Sequence, residues 1–287
     1  MLFERDGVPY QLREQFDLSI LREYGEVFCV FDKNDSGNIS FGVRDKDRKL
    51  FIKVAGAKTI KMGDNNNPDA AIAALRHAAG VYEDLAHPAL VKLIDKRQWQ
   101  GGYALVFDWS EGECLHAYWT YDEHPKHTSE KSAFYRFVRL PQDTQLAALD
   151  AIFKFHSFVA QSKYVAIDFY DGSILYDFSN NKVTLCDIDF YEKMPYINRM
   201  GRMWGSSRFM SPEEFTCSAP IDEITNVFSM GATAFVLLGD GLKRSSEKWR
   251  ANRALYNVAL KAVAPQRDER FPSIAAFIAA WEQAKQG

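Results

Sequence analysis

The spacing of apolar residues switches period near residue 110, and this switch limits the fold more than any single motif. Before it, apolar residues run in short β-favouring bursts: Val27-Phe28-Cys29-Val30-Phe31, then Ile39 to Val43, then Leu50 to Val54. Polar segments, Asp32 to Gly37 and Asp45 to Lys49, separate them, which predicts three antiparallel strands. A helix is predicted next, because Asn67 is a good N-cap, Pro68 suits the first helical position and Asp69 complements the helix dipole. Ile72, Leu75, Ala79 and Tyr82 mark its buried face at spacings of three and four. Two further bursts, Ala89 to Ile94 and Tyr103 to Trp109, predict another pair of strands, and Ser110-Glu111-Gly112 closes the sheet-rich part. From there the period is helical. Leu146, Leu149, Ile152, Phe153 and His156 share one face, Val227, Met230, Ala234 and Leu237 a second, and Ile274, Phe277, Ile278 and Trp281 a third. The expected fold class is α+β: a small antiparallel β-rich lobe with one helix, residues 1–109, and a larger, mainly helical lobe, residues 110–287.

Composition fits that size of core, since 47% of the 287 residues are hydrophobic and 14% aromatic. The 35 basic and 38 acidic residues leave a formal charge of -3, a balance that argues against nucleic acid or an anionic membrane as partner. Cys29, Cys114, Cys186 and Cys217 lie far apart with no CxxC pair, which argues against a zinc site or a disulfide framework and for a reducing interior. No stretch approaches the ~18–20 apolar residues that span a bilayer. The opening Met-Leu-Phe-Glu-Arg-Asp carries charge where a secretory signal needs an apolar run. A cytoplasmic protein is expected.

Chemistry-bearing residues recur in local patterns. Phe51-Ile52-Lys53-Val54 ends the third predicted strand and places the Lys53 ammonium on a rigid element. The preceding turn, Asp32 to Gly37, is built from residues that tolerate positive φ. Leu105 to Glu113 is an extended segment between the two predicted lobes. Val165-Ala166-Ile167-Asp168-Phe169-Tyr170-Asp171-Gly172-Ser173 is followed, after a predicted hairpin, by Cys186-Asp187-Ile188-Asp189. Trp204 to Glu214 contains Ser211-Pro212-Glu213, and Thr225-Asn226-Val227-Phe228-Ser229-Met230-Gly231 opens a helix.

In this order and at these separations the segments resemble the protein kinase superfamily over nearly the whole chain, from about Val27 to Trp281. The resemblance implies a bilobal fold that binds ATP and Mg²⁺. Lys53 would grip the α- and β-phosphates, Gly37 would belong to the glycine-rich loop, and Ile39 would match the valine that packs on the adenine. Phe107 would be the gatekeeper, Asp108 and Ser110 would offer backbone groups to the adenine, and Glu113 would reach the ribose. Asp168 would be the catalytic base, accepting or orienting the proton of the substrate hydroxyl. Asp187 would hold Mg²⁺, with Ser173 five positions after the base as a second ligand and Asp189 or Asp171 adding a carboxylate. Glu213 would pair structurally with Arg270, and Asn226 would stand where an aspartate anchors the catalytic loop. The implied reaction is transfer of the γ-phosphoryl group to a Ser or Thr hydroxyl of a protein substrate.

The chain also departs from the family pattern. Only Gly37 remains of three glycines, Ala166 and Ile167 replace the histidine and arginine before the base, and Tyr170 replaces the catalytic-loop lysine. Ser173 replaces an asparagine, and Ala78 stands where the first helix should supply a glutamate to Lys53, Glu83 being the nearest acid. Two alternatives therefore stand beside the protein kinase: a pseudokinase that serves as a nucleotide-binding regulatory or scaffold partner, and a small-molecule kinase of the aminoglycoside or choline type. Because Ile167 cannot dock a phosphate, phosphorylation of Tyr191 or Tyr196 is not expected to switch activity through an arginine latch.

Overall fold

The computed structural model describes residues 1–33, 37–61 and 67–286, so turn residues 34–36, part of the segment matched to the glycine-rich loop, lie outside it. The architecture is α+β and divides into two compact units, Met1–Glu111 and Gly112–Gly287. Among the described residues no helix is long and apolar enough to cross a membrane.

The first unit opens with a hairpin, β1 (Leu2–Arg5) and β2 (Val8–Gln11). Asp6 and Gly7 turn it with φ of 51° and 81°, the two left-handed residues that a tight hairpin with correct twist requires. An antiparallel sheet of five strands follows, in the order β3-β4-β5-β7-β6. These are β3 (Glu26–Phe31), β4 (Asn38–Asp45), β5 (Arg48–Ala55), β6 (Leu93–Trp99) and β7 (Gly102–Asp108). Helix α1 (Pro68–Asp84) lies between β5 and β6 in sequence. Its N-terminus is capped as expected, with Asn67 Oδ1 accepting the Ala70 N–H at 2.7 Å. Leu75, Ala79 and Tyr82 are buried, while Ile72 is only half-buried.

The β4–β5 ladder is unbroken and pairs Ile39 with Val54 and Ser40 with Lys53. Since side chains alternate across a strand, Ile39 and Lys53 belong to opposite faces of the sheet. Ile39, Phe41, Val43, Ile52 and Val54 form the dry face, covered by Tyr10, Leu12, Leu18 and Leu21. Asn38, Ser40, Phe51 and Lys53 belong to the other face, as does Phe107, paired with Phe51 and meeting the Tyr82 ring of α1 edge-on at 4.8 Å. Strand β6 begins later than the expected Ala89 to Ile94. Leu90 is buried in a turn, its N–H donating to His87 O, so that apolar run packs as a loop. The strand itself is at the sheet edge, with Lys96, Arg97 and Gln98 exposed.

The second unit contains β8 (Glu113–Cys114), α2 (Ala133–Phe137), α3 (Gln142–Gln161), β9 (Tyr164–Val165), β10 (Ile174–Asp177), β11 (Lys182–Leu185), β12 (Glu192–Lys193) and β13 (Tyr196–Ile197). It continues through β14 (Pro220–Ile221), α4 (Glu223–Leu238), α5 (Arg253–Ala262) and α6 (Ile274–Lys285). Helix α4 is the hydrophobic axis: every residue from Thr225 to Leu238 is buried, and Asp222 caps it by accepting the Ile224 N–H. Phe153 of α3 meets Phe277 and Trp281 of α6 edge-on at 4.9 and 5.2 Å. That contact joins the first and third predicted apolar faces. Helix α5 carries the same signal in Leu255, Tyr256, Ala259 and Ala262 and follows an Asn252 cap, so its spacing was readable.

Candidate functional site

In the second unit, the loop after β9 carries Asp168 and is pinned to the axis helix by one side chain. Asn226, fully buried in α4, accepts the Ala166 N–H at 2.8 Å and donates its amide N–H to Tyr164 O at 3.4 Å. The amide thus does the anchoring expected of an aspartate. Asp168 and Asp187 both hold left-handed backbone, with φ of 62° and 56°. Non-glycine residues rarely adopt it, and such strain persists where the surroundings impose it, often at functional sites. Asp168 is half-buried and Asp187 exposed. The Cys186 N–H donates to Ser173 O at 3.0 Å, which sets Ser173 beside the start of the Asp187 turn. Burial first, then the charges of Asp187 and Asp168, push the Tyr170 phenol far above its ordinary range. Both carboxylates therefore lie within electrostatic reach of Tyr170.

The Ser173 hydroxyl is fully buried and has no hydrogen-bond partner among the described residues. A buried hydroxyl without a partner carries a desolvation cost that a ligand can remove. Ser173, Asp187 and the half-buried Asp189 offer hard oxygen atoms suited to Mg²⁺. Among the described residues no three His, Cys, Asp or Glu side chains converge as a metal cage. This donor set fits a cation that takes one or two carboxylates and fills its shell with phosphate oxygens and water.

Asp171 is not a spare metal ligand. It is fully buried, and its oxygens are occupied by Arg208 at 2.7 and 2.8 Å, by the Lys126 ammonium, and by His116 Nδ1 at 3.3 Å. Burial alone would raise its pKa, but hydrogen bonds from His116 and Arg208 and the charges of Lys126 and Arg208 hold it well below the carboxylate range.

The segment ending in Glu213 runs against this loop, since a Cβ at Gly205 would sit 3.5 Å from Asp168 Cα. Glu213 and Arg270 form a buried bidentate pair at 2.7 and 3.0 Å, and Arg267 adds a contact at 2.7 Å. Tyr191 is fully buried, which removes it as an accessible phosphorylation site. Its hydroxyl donates to His156 Nε2 at 3.0 Å, and His156 Nδ1–H donates to Ile152 O at 2.9 Å. Burial lowers the His156 pKa to about 4, so it is a neutral core residue.

In the first unit, Lys53 is buried on the sheet face opposite Ile39, so Ile39 is not the neighbour that the adenine-packing role required. The residues that share the face of Lys53 are Ser40, Asn38 and Phe51. Ser40 Oγ and Asn38 Oδ1 are buried with no partner among the described residues, an orphaned polar pair that the sequence reading missed. The alternation counted back from Lys53 was the signal that marked them. Phe51 lies 5.8 Å from Phe31 and 6.4 Å from Phe107, ring centre to ring centre. Gly37 holds φ of 79° just before β4. Ala78 is fully buried in α1, and Glu83 pairs with Lys96 of β6 at 2.6 Å. Asp108 pairs through its side chain with Arg48 at 3.0 Å and gives its N–H to Lys92 O, while Ser110 is half-buried in the coil that follows. Glu113, in the second unit, pairs with Arg136.

Comparison with models of known families and with curated proteins finds no match for the chain.

Proposed function

We propose that the chain is a bilobal, kinase-like phosphotransferase that uses ATP and Mg²⁺ to phosphorylate a protein hydroxyl. The observation that carries this reading is the pair of left-handed aspartates, Asp168 and Asp187, both within electrostatic reach of Tyr170, on segments tied together by the Cys186–Ser173 hydrogen bond. Asp168 takes the proton of the acceptor hydroxyl, Asp187 with Ser173 and Asp189 holds the cation, and Lys53 offsets phosphate charge. The anchor through Asn226 and the Glu213–Arg270 pair support a protein kinase over a small-molecule kinase, because they order the segment on which a peptide would lie.

One observation favours a second reading, a pseudokinase that binds nucleotide without transfer. Ala78 occupies the place of the glutamate partner of Lys53, and Glu83 is committed to Lys96. Measuring Mg²⁺-dependent ATP binding and turnover in the wild type and in Asp187→Asn separates the two. Turnover that Asp187→Asn abolishes supports the enzyme. Binding that falls in Asp187→Asn with no turnover in either protein selects the pseudokinase, and absence of nucleotide binding in both overturns each reading.

A further inference from the structure

Asp171 holds a cluster that the proposed transfer reaction does not use. The ion pairs of Lys126 and Arg208 both run to this one carboxylate, so two fixed positive charges face one negative charge. Their side chains are 7% and 25% exposed, and Asp171 is fully buried. An excess charge at such a depth is costly unless an anion joins it. Burial accordingly pushes the Lys126 pKa down despite the opposing pull of Asp171.

The hydrogen-bond inventory leans the same way. His116 Nδ1 lies 2.8 Å from Lys126 Nζ and 3.3 Å from Arg208. Nδ1 also lies 3.3 Å from Asp171 Oδ1, so this edge of the ring faces the carboxylate as well as the two cations. The Lys126 ammonium, with three N–H groups, donates to Asp171, lies beside His116 Nδ1 and sits over the Phe134 ring at 4.4 Å. The Tyr121 hydroxyl is buried and has no partner among the described residues. Burial, then the Asp171 charge, pushes its pKa up, so it stays a protonated donor beside the cluster. The His116 ring is 24% exposed, which leaves the cluster open to solvent on that side. Two cations on one buried carboxylate, with the Tyr121 hydroxyl as a further donor beside them, describe a site for a tetrahedral oxyanion.

We propose that Lys126, Arg208, His116 and Tyr121 bind a phosphate monoester beside the loop that carries Asp168. Its role, recognition of a residue already phosphorylated in the protein substrate, rests on the kinase-like reading. Phosphate binding itself does not.

Thermal unfolding of the full chain, titrated with inorganic phosphate against sodium chloride of equal ionic strength, tests the site without any turnover. Wild type is expected to show a saturable rise in Tm. Lys126→Met leaves the Arg208–Asp171 pair neutral in sum, and its phosphate affinity is expected to fall at least about tenfold. Tyr121→Phe removes a hydroxyl with no partner among the described residues. It is expected to fold with no loss of Tm and to bind phosphate about fivefold more weakly. Wild-type insensitivity to phosphate, or phosphate binding of wild-type strength in Tyr121→Phe, overturns the site. O-phosphoserine and serine distinguish the source. Tighter binding of O-phosphoserine than of inorganic phosphate supports side-chain recognition, and equal or weaker binding overturns that role.

Discussion

Glu214 gives the sharpest pH signature in the molecule. Its carboxylate is 2% exposed and accepts both the Ser211 N–H at 2.6 Å and the Ser211 hydroxyl at 2.9 Å. Burial outweighs those bonds and raises its pKa from the usual 4.5 to about 7, with the neighbouring Glu213 charge adding to the rise. Between those two values the folded state holds a proton that the unfolded chain has released, so stability falls as pH rises through the window. A rise of that size corresponds to about 3 kcal/mol when the carboxylate is forced to ionise. Glu214→Gln is an isostere of the protonated acid and still offers an oxygen to Ser211. Its stability relative to wild type is expected to be near zero at low pH and to rise by about 1.4 kcal/mol per pH unit from about pH 5. Above neutral pH the gain should level at about 3 kcal/mol, near 6 °C in Tm for a chain of this size. Urea midpoints of the two proteins at matched pH values provide the assay, and the difference cancels every other titrating group. A difference that does not vary between pH 5 and 7, or one that shrinks as pH rises, refutes the reasoning.

Asn226→Ala leaves the buried Ala166 N–H without its acceptor and removes a weaker bond to Tyr164 O. The expected loss is about 2–4 kcal/mol in denaturant unfolding, and on the proposed phosphotransferase reading turnover falls as well because the Asp168 loop is released; a loss under about 0.5 kcal/mol would show that the anchor is not needed. Ser173→Ala deletes a buried hydroxyl with no partner among the described residues. Stability without ligand should hold or rise by about 1 kcal/mol, and on the proposed reading the Mg²⁺ concentration needed for nucleotide binding increases; a destabilised variant with unchanged Mg²⁺ dependence contradicts the ligand role.

Helices α3 and α6 of the second unit were legible because their apolar residues obey one period, whereas α4 is buried on every side. Leu149, Ile152 and Phe153 are all buried in α3 as the spacing predicts. The sheet of the first unit was legible in its strands and not in its faces. A strand whose two sides are both buried loses the alternation that fixes which side is which. Residues 38 to 43 of β4 are buried without a break, so burial does not separate the faces, and only the alternation of Asn38 and Ser40 with Ile39 and Phe41 marks them. A slip of one residue in this strand exchanges the two faces.

The site divides in the same way. Asp168, Asp171 and Asp187 are the same residue type within twenty positions, and local pattern treats them alike. What separates them is long-range: Lys126 and Arg208 reach Asp171 from 45 and 37 residues away and occupy it completely. Asp187 remains exposed, on strained backbone beside an unsatisfied Ser173 hydroxyl. A carboxylate already neutralised by two cations has little left to offer a third. The same chemistry that removes Asp171 from the metal set makes it the organiser of a cationic cluster, so the two assignments stand or fall on a single arrangement of charges.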